Sequence, residues 1–538
     1  MKNPGRAGLL IGAISVVLAF AGIFWYIGFT DNTALLKCIP KNANLVVKFD
    51  LKSIGENAHF EDWADMELFD ELRNSTGDEE QTMYSIIKSP ESSGINFYNN
   101  AYIASNSDSG ENEMFMVLGM SDREEFEETL KRMDENIKIE RNEVLNLVNT
   151  GYRDYIVFND DVILVYFNSS WSKDEAEDRA KRFLTMDKEE SILENDNFMD
   201  AESLGGDVLL YLNISQIHEF TRGLISNNDD VFAKLKSQSE ALAMRLTLED
   251  SQIKIESKNY YTEEYQNKLD DEEGEEVFMS KEDIAYISPK DPIAFGSFVM
   301  TATEMETNLQ SYIELFAKSN ITVDEILASF NGKISGSWIE LSRQMVLREE
   351  VDYANWDVFS SAEPPMRIDT AYEILPIYKI NLGVKDAYAA DQLVKKIFND
   401  ESNPLQNGAG TTRIFGKLMP IFIHSDEKYV SISNSSYTFD LATPESVAKW
   451  EEDISTNKYM AYMDLKPAKF ESVTQDEPRM MKEVLPYWNM FDYMVIRGDA
   501  SNVTNEIVLT NSDDSFLWRI MQEINKRYKE SKSEGVNS

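Results

Sequence analysis

A chain of 538 residues is too long for one hydrophobic core, so two or more domains are expected. Apolar residues at 42% and aromatics at 11% describe a folded chain, and 95 acidic against 52 basic residues leave a formal net charge of −43. That balance excludes a general nucleic-acid binder, because phosphates would be repelled, and is compatible with divalent cations or basic partners.

The N-terminus opens MKNPGR, a basic stub over 1–8 carrying Lys2 and Arg6. Leu9 to Phe29 then run 21 residues without a charge. As a helix this spans about 30 Å, enough for a hydrocarbon core. Basic residues before it and Asp31 after it predict a transmembrane helix over 9–29. The N-terminus is expected in the cytoplasm and the domains in the periplasm or outside, on the inner membrane of a Gram-negative bacterium. A cleaved signal peptide is the competing reading, but the apolar run is long and no small-x-small site follows it. The one cysteine, Cys38, excludes an intrachain disulfide framework and a thiolate cluster. Leu-Leu-Lys before it argues against lipidation.

Over 36–264 the pattern predicts a first α+β domain. In chain order it reads as strand 44–50, helices within 61–88, strands 98–105 and 113–119, and helix 122–136. Strand pieces at 144–149, 153–159 and 162–167 follow, then helical stretches within 173–198, strand 207–213, helix 215–242 and a hairpin across 244–261. Residues 265–283 form a polar, acid-rich linker. A second α+β domain is expected over 284–530, ending in strands 492–498 and 504–511 and a helix from Asp514 to Tyr528. A frayed tail covers 531–538. The fold class expected is α+β: two related domains of antiparallel sheet with packed helices, after one transmembrane helix.

The second domain reads as a duplicate of the first. LGMSDREEFEETLKRM at 118–133 returns 264 positions later as LGVKDAYAADQLVKKI at 382–397. Both read as a strand end, a Gly, and a helix capped near Ser121 or Asp386, with Phe126, Leu130 and Met133 forming an apolar stripe. The hairpin IVFNDDVILVYFNSS at 156–170 lines up with FIHSDEKYVSISNSS at 422–436, which sets His424 opposite Phe158. DVLLYLNISQIHEF from 207 matches KYMAYMDLKPAKF from 458, and the segment from Pro40 matches that from Pro289. Four blocks in one order are what duplication with loop insertions produces.

Candidate sites are few. DDEEGEE at 270–276 offers hard oxygen ligands for Ca²⁺ but lacks the alternation that converges them, and reads as a solvated loop. NSDSG from Asn106 to Gly110 has part of a calcium-loop rhythm and reads as a hairpin turn. His424, Ser425 and Asp426 have the residue types of a triad, yet neighbours on a tight turn do not orient one another. His59 and His218 have no ligand series around them. Tyr260, Tyr261, Tyr487 and Trp488 are candidate exposed aromatics. No P-loop, dinucleotide Gly pattern or HExxH occurs. No catalytic, cofactor-binding or metal-ligating residue is assigned, and no cofactor.

The segment LLKCIPKNANLVVKFDLKSI, with the 114–133 and 156–170 blocks, resembles the Bacteroidota domain-of-unknown-function 4836 family. Members begin with an IP-x-x-A segment running into a V-x-x-(N/D)-L-K-S-like strand, here Ile39, Pro40, Ala43, Val47, Asp50, Leu51, Lys52 and Ser53. The resemblance implies an envelope location. It supplies no catalytic residues, and the transmembrane segment and Lys37 depart from the lipoprotein pattern common among members. The function expected is a membrane-anchored, non-catalytic envelope protein with a binding or assembly role. Its partners are the membrane through 9–29 and an envelope protein or glycan. A hydrolase of envelope polymers using unidentified Asp/Glu residues, and a structural or stress-related membrane protein, are the alternatives.

Overall fold

Residues 32–535 are described by the computed structural model, apart from 109–110, 143, 150–153, 168–172, 217–235, 273–277, 311–320, 352–365, 399–405, 409–410, 416–419, 471–484, 486, 500 and 511–513. The expected membrane segment 9–29 lies outside the described residues, among which no helix is long and apolar enough to cross a membrane. The fold is α+β with antiparallel pairing throughout the named strand pairs. The chain divides into two units, residues 1–269 with 508–538, and residues 270–507.

The first unit contains β1 (Leu45–Asp50), β2 (Ile95–Asn96), β3 (Asn100–Asp108), β4 (Glu111–Met120), β5 (Ile139–Arg141) and β6 (Asn146–Asn149). It continues with β7 (Tyr155–Phe158), β8 (Val162–Tyr166), β9 (Val208–Asn213), β10 (Ser239–Leu248) and β11 (Gln252–Tyr261). Pairing gives the order β11–β10–β9–β1–β3–β4–β8–β7–β6–β5, with β2 beside the end of β4. β7 and β8, apolar along their whole length, are buried on both faces. One face is covered by α1 (Thr33–Lys37), α3 (Lys173–Leu184) and α4 (Asp196–Ser203), through Leu35, Leu36, Ala180, Phe183 and Phe198. The other is covered by α2 (Arg123–Met133) through Phe126, Leu130 and Met133, the stripe read from the sequence. Each such side chain contributes about 1.5–3 kcal/mol by leaving water. The cap of α2 is Asp122, not Ser121: its Oδ1 accepts from Glu124 N at 2.8 Å and Glu125 N at 3.0 Å.

The second unit contains β12 (Ala294–Val299), β13 (Phe330–Val351), β14 (Met366–Val384), β15 (Gln406–Gly408), β16 (Thr411–Phe415), β17 (Pro420–Ser425), β18 (Tyr429–Ser433), β19 (Tyr459–Asp464) and β20 (Phe491–Gly498). Its order is β20–β19–β12–β13–β14–β18–β17–β16–β15. These nine strands follow the same order as β10 to β5 of the first unit. Leu45 on β1 pairs with Ser105 and Leu212, and Ala294 on β12 pairs with Trp338 and Met463. Leu118 pairs with Ile163, and Leu382 with Val430. A Cβ on Gly119 would meet Asn96 Cβ at 3.1 Å, and one on Gly383 would meet Lys333 Cβ at 2.9 Å. Glycine at both positions leaves room for that close approach.

Four expectations change. First, the hairpin β7–β8 corresponds to β17–β18 one residue further on than the sequence alignment set it, so His424 matches Val157 rather than Phe158. Second, the predicted helix 215–242 does not reach its end: residues 217–235 lie outside the described residues, and β10 begins at Ser239. The Ala-rich run SEALAMRL favours helix locally, but Ala241 and Ala243 gain burial between β9 and β11, and tertiary packing wins. Third, the acidic linker opens as helix α5 (Glu263–Glu272). Fourth, the terminal helix, α6 (Phe516–Gly535), belongs to the first unit. Its Met521, Leu517, Trp518 and Ile524 pack on Ala58, Phe60, Trp63 and Met66. The pattern of one amphipathic helix does not say which sheet it returns to.

The β13–β14 hairpin also outgrows its counterpart. Twelve residues (106–117) separate Ser105 from Leu118, against 43 (339–381) between Trp338 and Leu382. The surplus is a ribbon in which Leu341 to Val351 pair with Pro376 to Met366.

The α6 packing predicts that Met521→Ala lowers the stability of the first unit by about 2–5 kcal/mol. A urea titration followed by tryptophan fluorescence checks this. An unchanged midpoint would contradict the buried position of the helix.

Candidate functional site

The pleat sends alternate side chains to opposite faces, so the registers above fix which residues share a row. In the first unit two adjoining rows read Tyr102, Val117, Leu164, Val157 and Ala104, Phe115, Tyr166, Tyr155. All eight are buried and all but the tyrosine hydroxyls are apolar. Phe115 stacks on Phe183 of α3 at 5.0 Å, and Tyr166 lies 5.8 Å from Phe115.

The matching rows of the second unit read Ser335, Asn381, Ser431, His424 and Ser337, Lys379, Ser433, Phe422. Three large side chains have become serine, and the central phenylalanine has become lysine. Burial is retained: Lys379 is 1% exposed and Asn381 0%.

Most of these groups are satisfied, as buried polar groups must be. Ser431 Oγ donates to Asn381 Oδ1 at 2.7 Å, and Asn381 Nδ2 donates to Ser335 Oγ at 3.1 Å and to the Tyr286 carbonyl at 2.9 Å. Ser337 Oγ donates to the Ile287 carbonyl at 2.7 Å. The segment carrying Tyr286 is held over the face by a short helix, Lys281–Ile284, started by a Ser280–Asp283 capping box. Burial raises the Asp283 carboxyl, but Lys333 at 2.7 Å and the Ser280 amide outweigh it and hold it below its ordinary value.

In these two rows, two groups stand apart. Lys379 Nζ is buried with no hydrogen-bond partner among the described residues, and so is His424 Nδ1. The Tyr286 ring lies 6.0 Å from Lys379 Nζ. The carboxylate beside them, Asp426, is already engaged: its Oδ1 accepts from Lys428 N at 2.7 Å and Tyr429 N at 2.8 Å, and its Oδ2 accepts from the Tyr286 hydroxyl at 3.0 Å. Burial pulls the Lys379 ammonium down to about 8, with Asp426 and Asp440 opposing. The first unit solves the same problem differently. Its buried Lys48 pairs with Glu202 at 3.2 Å, and Glu202 accepts from the Tyr102 hydroxyl at 3.2 Å. Burial raises the Glu202 and Asp207 carboxyls, and both are engaged: Asp207 accepts from Ser53 Oγ and from the Leu248 amide.

The profile of the family described as "Domain of unknown function (DUF4836)" matches residues 36–393. The chain belongs to the DUF4836 family. The matched stretch of this DUF4836 member runs from the first unit into the second as far as the helix Ala387–Phe398. No curated protein matches the chain. Crystal form IV of TP0453 is 12% identical over 41% of this chain and 79% of that one, with a TM-score of 0.26; crystal form III is 12% identical over 45% and 86%, also at 0.26. These similarities are too slight to transfer a fold or a function.

The residues singled out in the DUF4836 sequence are dispersed. His424 and Ser425 point to opposite faces of β17, and Asp426 caps the following turn, so no triad forms. His424 packs on Phe439 at 5.5 Å. His59 ends the helix Leu51–Ala58 in a left-handed conformation, stacks on Trp518 at 5.0 Å and shares an exposed trio with Glu61 and Asp62. His218 and residues 273–276 lie outside the described residues, and 270–272 close α5. Asn106 is buried in the β3–β4 hairpin. The Tyr260 hydroxyl donates to Asp200 at 2.6 Å, Tyr261 rests on Tyr265 at 5.1 Å, and Trp488 Nε1 donates to the Leu465 carbonyl at 2.6 Å. Cys38 is buried, its Sγ donating to the Ala34 carbonyl at 3.4 Å, and burial pushes the thiol up to about 12. It packs as a small apolar group.

Because Lys379 titrates lower in the folded chain than its ordinary 10.5, the unfolded chain binds more protons between about 8 and 10.5. Stability therefore rises with pH across that window and is lowest below it. In ligand-free buffer Lys379→Met should be more stable than the parent at pH 7, with the gap in urea midpoint shrinking steadily toward pH 10. A gap independent of pH would contradict a buried, unpaired ammonium.

Proposed function

We propose that this DUF4836 member is a membrane-anchored envelope protein with a non-catalytic binding role, built from two copies of one domain. The first copy is the scaffold and the second holds the ligand. The anchor is the 9–29 segment, with the N-terminus cytoplasmic and both units on the far side of the membrane. The uncharged run of 21 residues and the charges flanking it support that placement.

The observation that carries the binding role is the contrast between two faces of the same register. One is filled with Phe115, Tyr166 and Leu164, the other lined by Lys379, Ser433 and Ser431. A buried serine and lysine layer costs stability that an apolar layer would not, so its presence in one copy is best explained by what it contacts. A ligand site has this character, with a few polar groups placed inside an apolar body. The carboxylates with raised values are tied to Lys48, Tyr102, Ser53 and backbone, which supports binding over acid–base catalysis.

The test refills the face. Full-length protein is purified from its own membranes in mild detergent, washed and denatured, and the released small molecules are identified by mass spectrometry. The comparison is Ser431→Leu/Ser433→Tyr, which restores the residues of the first copy. A molecule released near one-to-one from the parent and absent from the folded variant is expected. Equal release from both, or none from the parent, contradicts the proposal.

A further inference from the structure

The unpaired Lys379 narrows the chemistry of what the second unit takes, and the argument rests on the binding role proposed above. We infer that the ligand carries one anionic group, a carboxylate or a phosphate, seated against Lys379 Nζ, with its remaining polar atoms along the Ser433, Ser431 and His424 side of the face.

Charge leads to this first. Lys379 is 1% exposed, stands at the centre of the sheet and has no counter-ion within hydrogen-bond reach among the described residues. A buried charge without a partner costs several kcal/mol, which is why buried lysines are paired or neutralised. Lys48 shows the paired solution within the same chain, through Glu202. Lys379 has no such residue: the Asp426 oxygens are held by two amides and the Tyr286 hydroxyl, and Asp440 is exposed. Water can solvate the ammonium but cannot neutralise it. An anionic group does both.

The polarity of the face points the same way. Where the first unit has Tyr102, Leu164 and Tyr166, the second has Ser335, Ser431 and Ser433, three exchanges of bulk for hydroxyl beside one ammonium. His424 Nδ1 faces the same side one strand beyond Ser431, also without a partner among the described residues. The aromatic lid that closes the first face, Phe183 on Phe115, is replaced by Tyr286, whose ring sits over Lys379 while its hydroxyl is anchored to Asp426.

The net charge of −43 favours a ligand of low total charge. It repels a polyanion along its whole length, which excludes nucleic acid and acidic polymers. A single anionic group is repelled far less, since at physiological salt exposed charges are screened beyond about 8 Å. The class is therefore a small molecule with one carboxylate or one phosphate.

Thermal unfolding of the full chain in detergent tests this with sodium acetate and sodium phosphate as probes, each against sodium chloride at matched ionic strength. The parent should show a saturating rise of about 5 °C with acetate or phosphate, and Lys379→Met should fold and show none. The more effective probe assigns carboxylate or phosphate. No rise in the parent, or the same rise in Lys379→Met, overturns the inference. Should Lys379→Met fail to fold, a bromide soak of parent crystals decides: an anomalous peak at hydrogen-bond distance from Lys379 Nζ is required, and its absence overturns the inference. If the parent releases a neutral molecule from a face that Ser431→Leu/Ser433→Tyr blocks, the binding role stands and the anionic assignment falls.

Discussion

Everything distinctive about this protein depends on strand register. In each unit a central strand, β1 or β12, is hydrogen-bonded on both sides, and those ladders fix which side chains of the neighbouring strands stand in one row. Because the pleat alternates, a shift of one residue would exchange the two faces of a strand completely. Over the nine strands they share, the order and the pairing are the same in both units, so residues can be compared by position in the ladder rather than by similarity of sequence.

That comparison separates the two units chemically. The first is filled as an apolar interior should be, with Phe115, Phe183 and Tyr166 in contact and the buried Lys48 tied to Glu202. The second keeps the backbone arrangement and gives up apolar contact where Phe115 and Tyr166 stand in the first. Replacing a buried aromatic by a small polar group ordinarily costs a few kcal/mol. Its hydrogen bonds through Asn381, Ser431 and Ser335 recover part of this, while the ammonium of Lys379 has no hydrogen-bond partner among the described residues. The α6 helix, by contrast, strengthens the first unit, laying Trp518 and Met521 on the cluster around Phe60 and Trp63.

Much of the fold was legible in the sequence. Alternation and apolar stripes located β1, β3, β4, the β7–β8 hairpin and α2 to within a few residues, and the repeated LG turn drew attention to the matching strand–helix blocks. The polar face is not legible in the sequence, for a physical reason. The sequence alignment set the 156–170 hairpin against 422–436, which places Ser431 and Ser433 opposite Val165 and Phe167 on the other face. One residue further along they fall opposite Leu164 and Tyr166, and the exchange of bulk for hydroxyl appears. Similarity of short apolar strands does not determine register; hydrogen-bond pairing does. The first unit's claim on residues 508–535 was hidden for a related reason, since it depends on a contact hundreds of residues away in sequence.

The central claim is that the two matching faces differ in what they hold, and a high-resolution crystal structure of the full chain tests it most directly. Electron density over the two faces is the measurement. The account predicts ordered solvent or a bound group within hydrogen-bond distance of Lys379 Nζ, and none over Phe115. A dry second face, with Lys379 Nζ paired directly to a carboxylate of the protein, would contradict it.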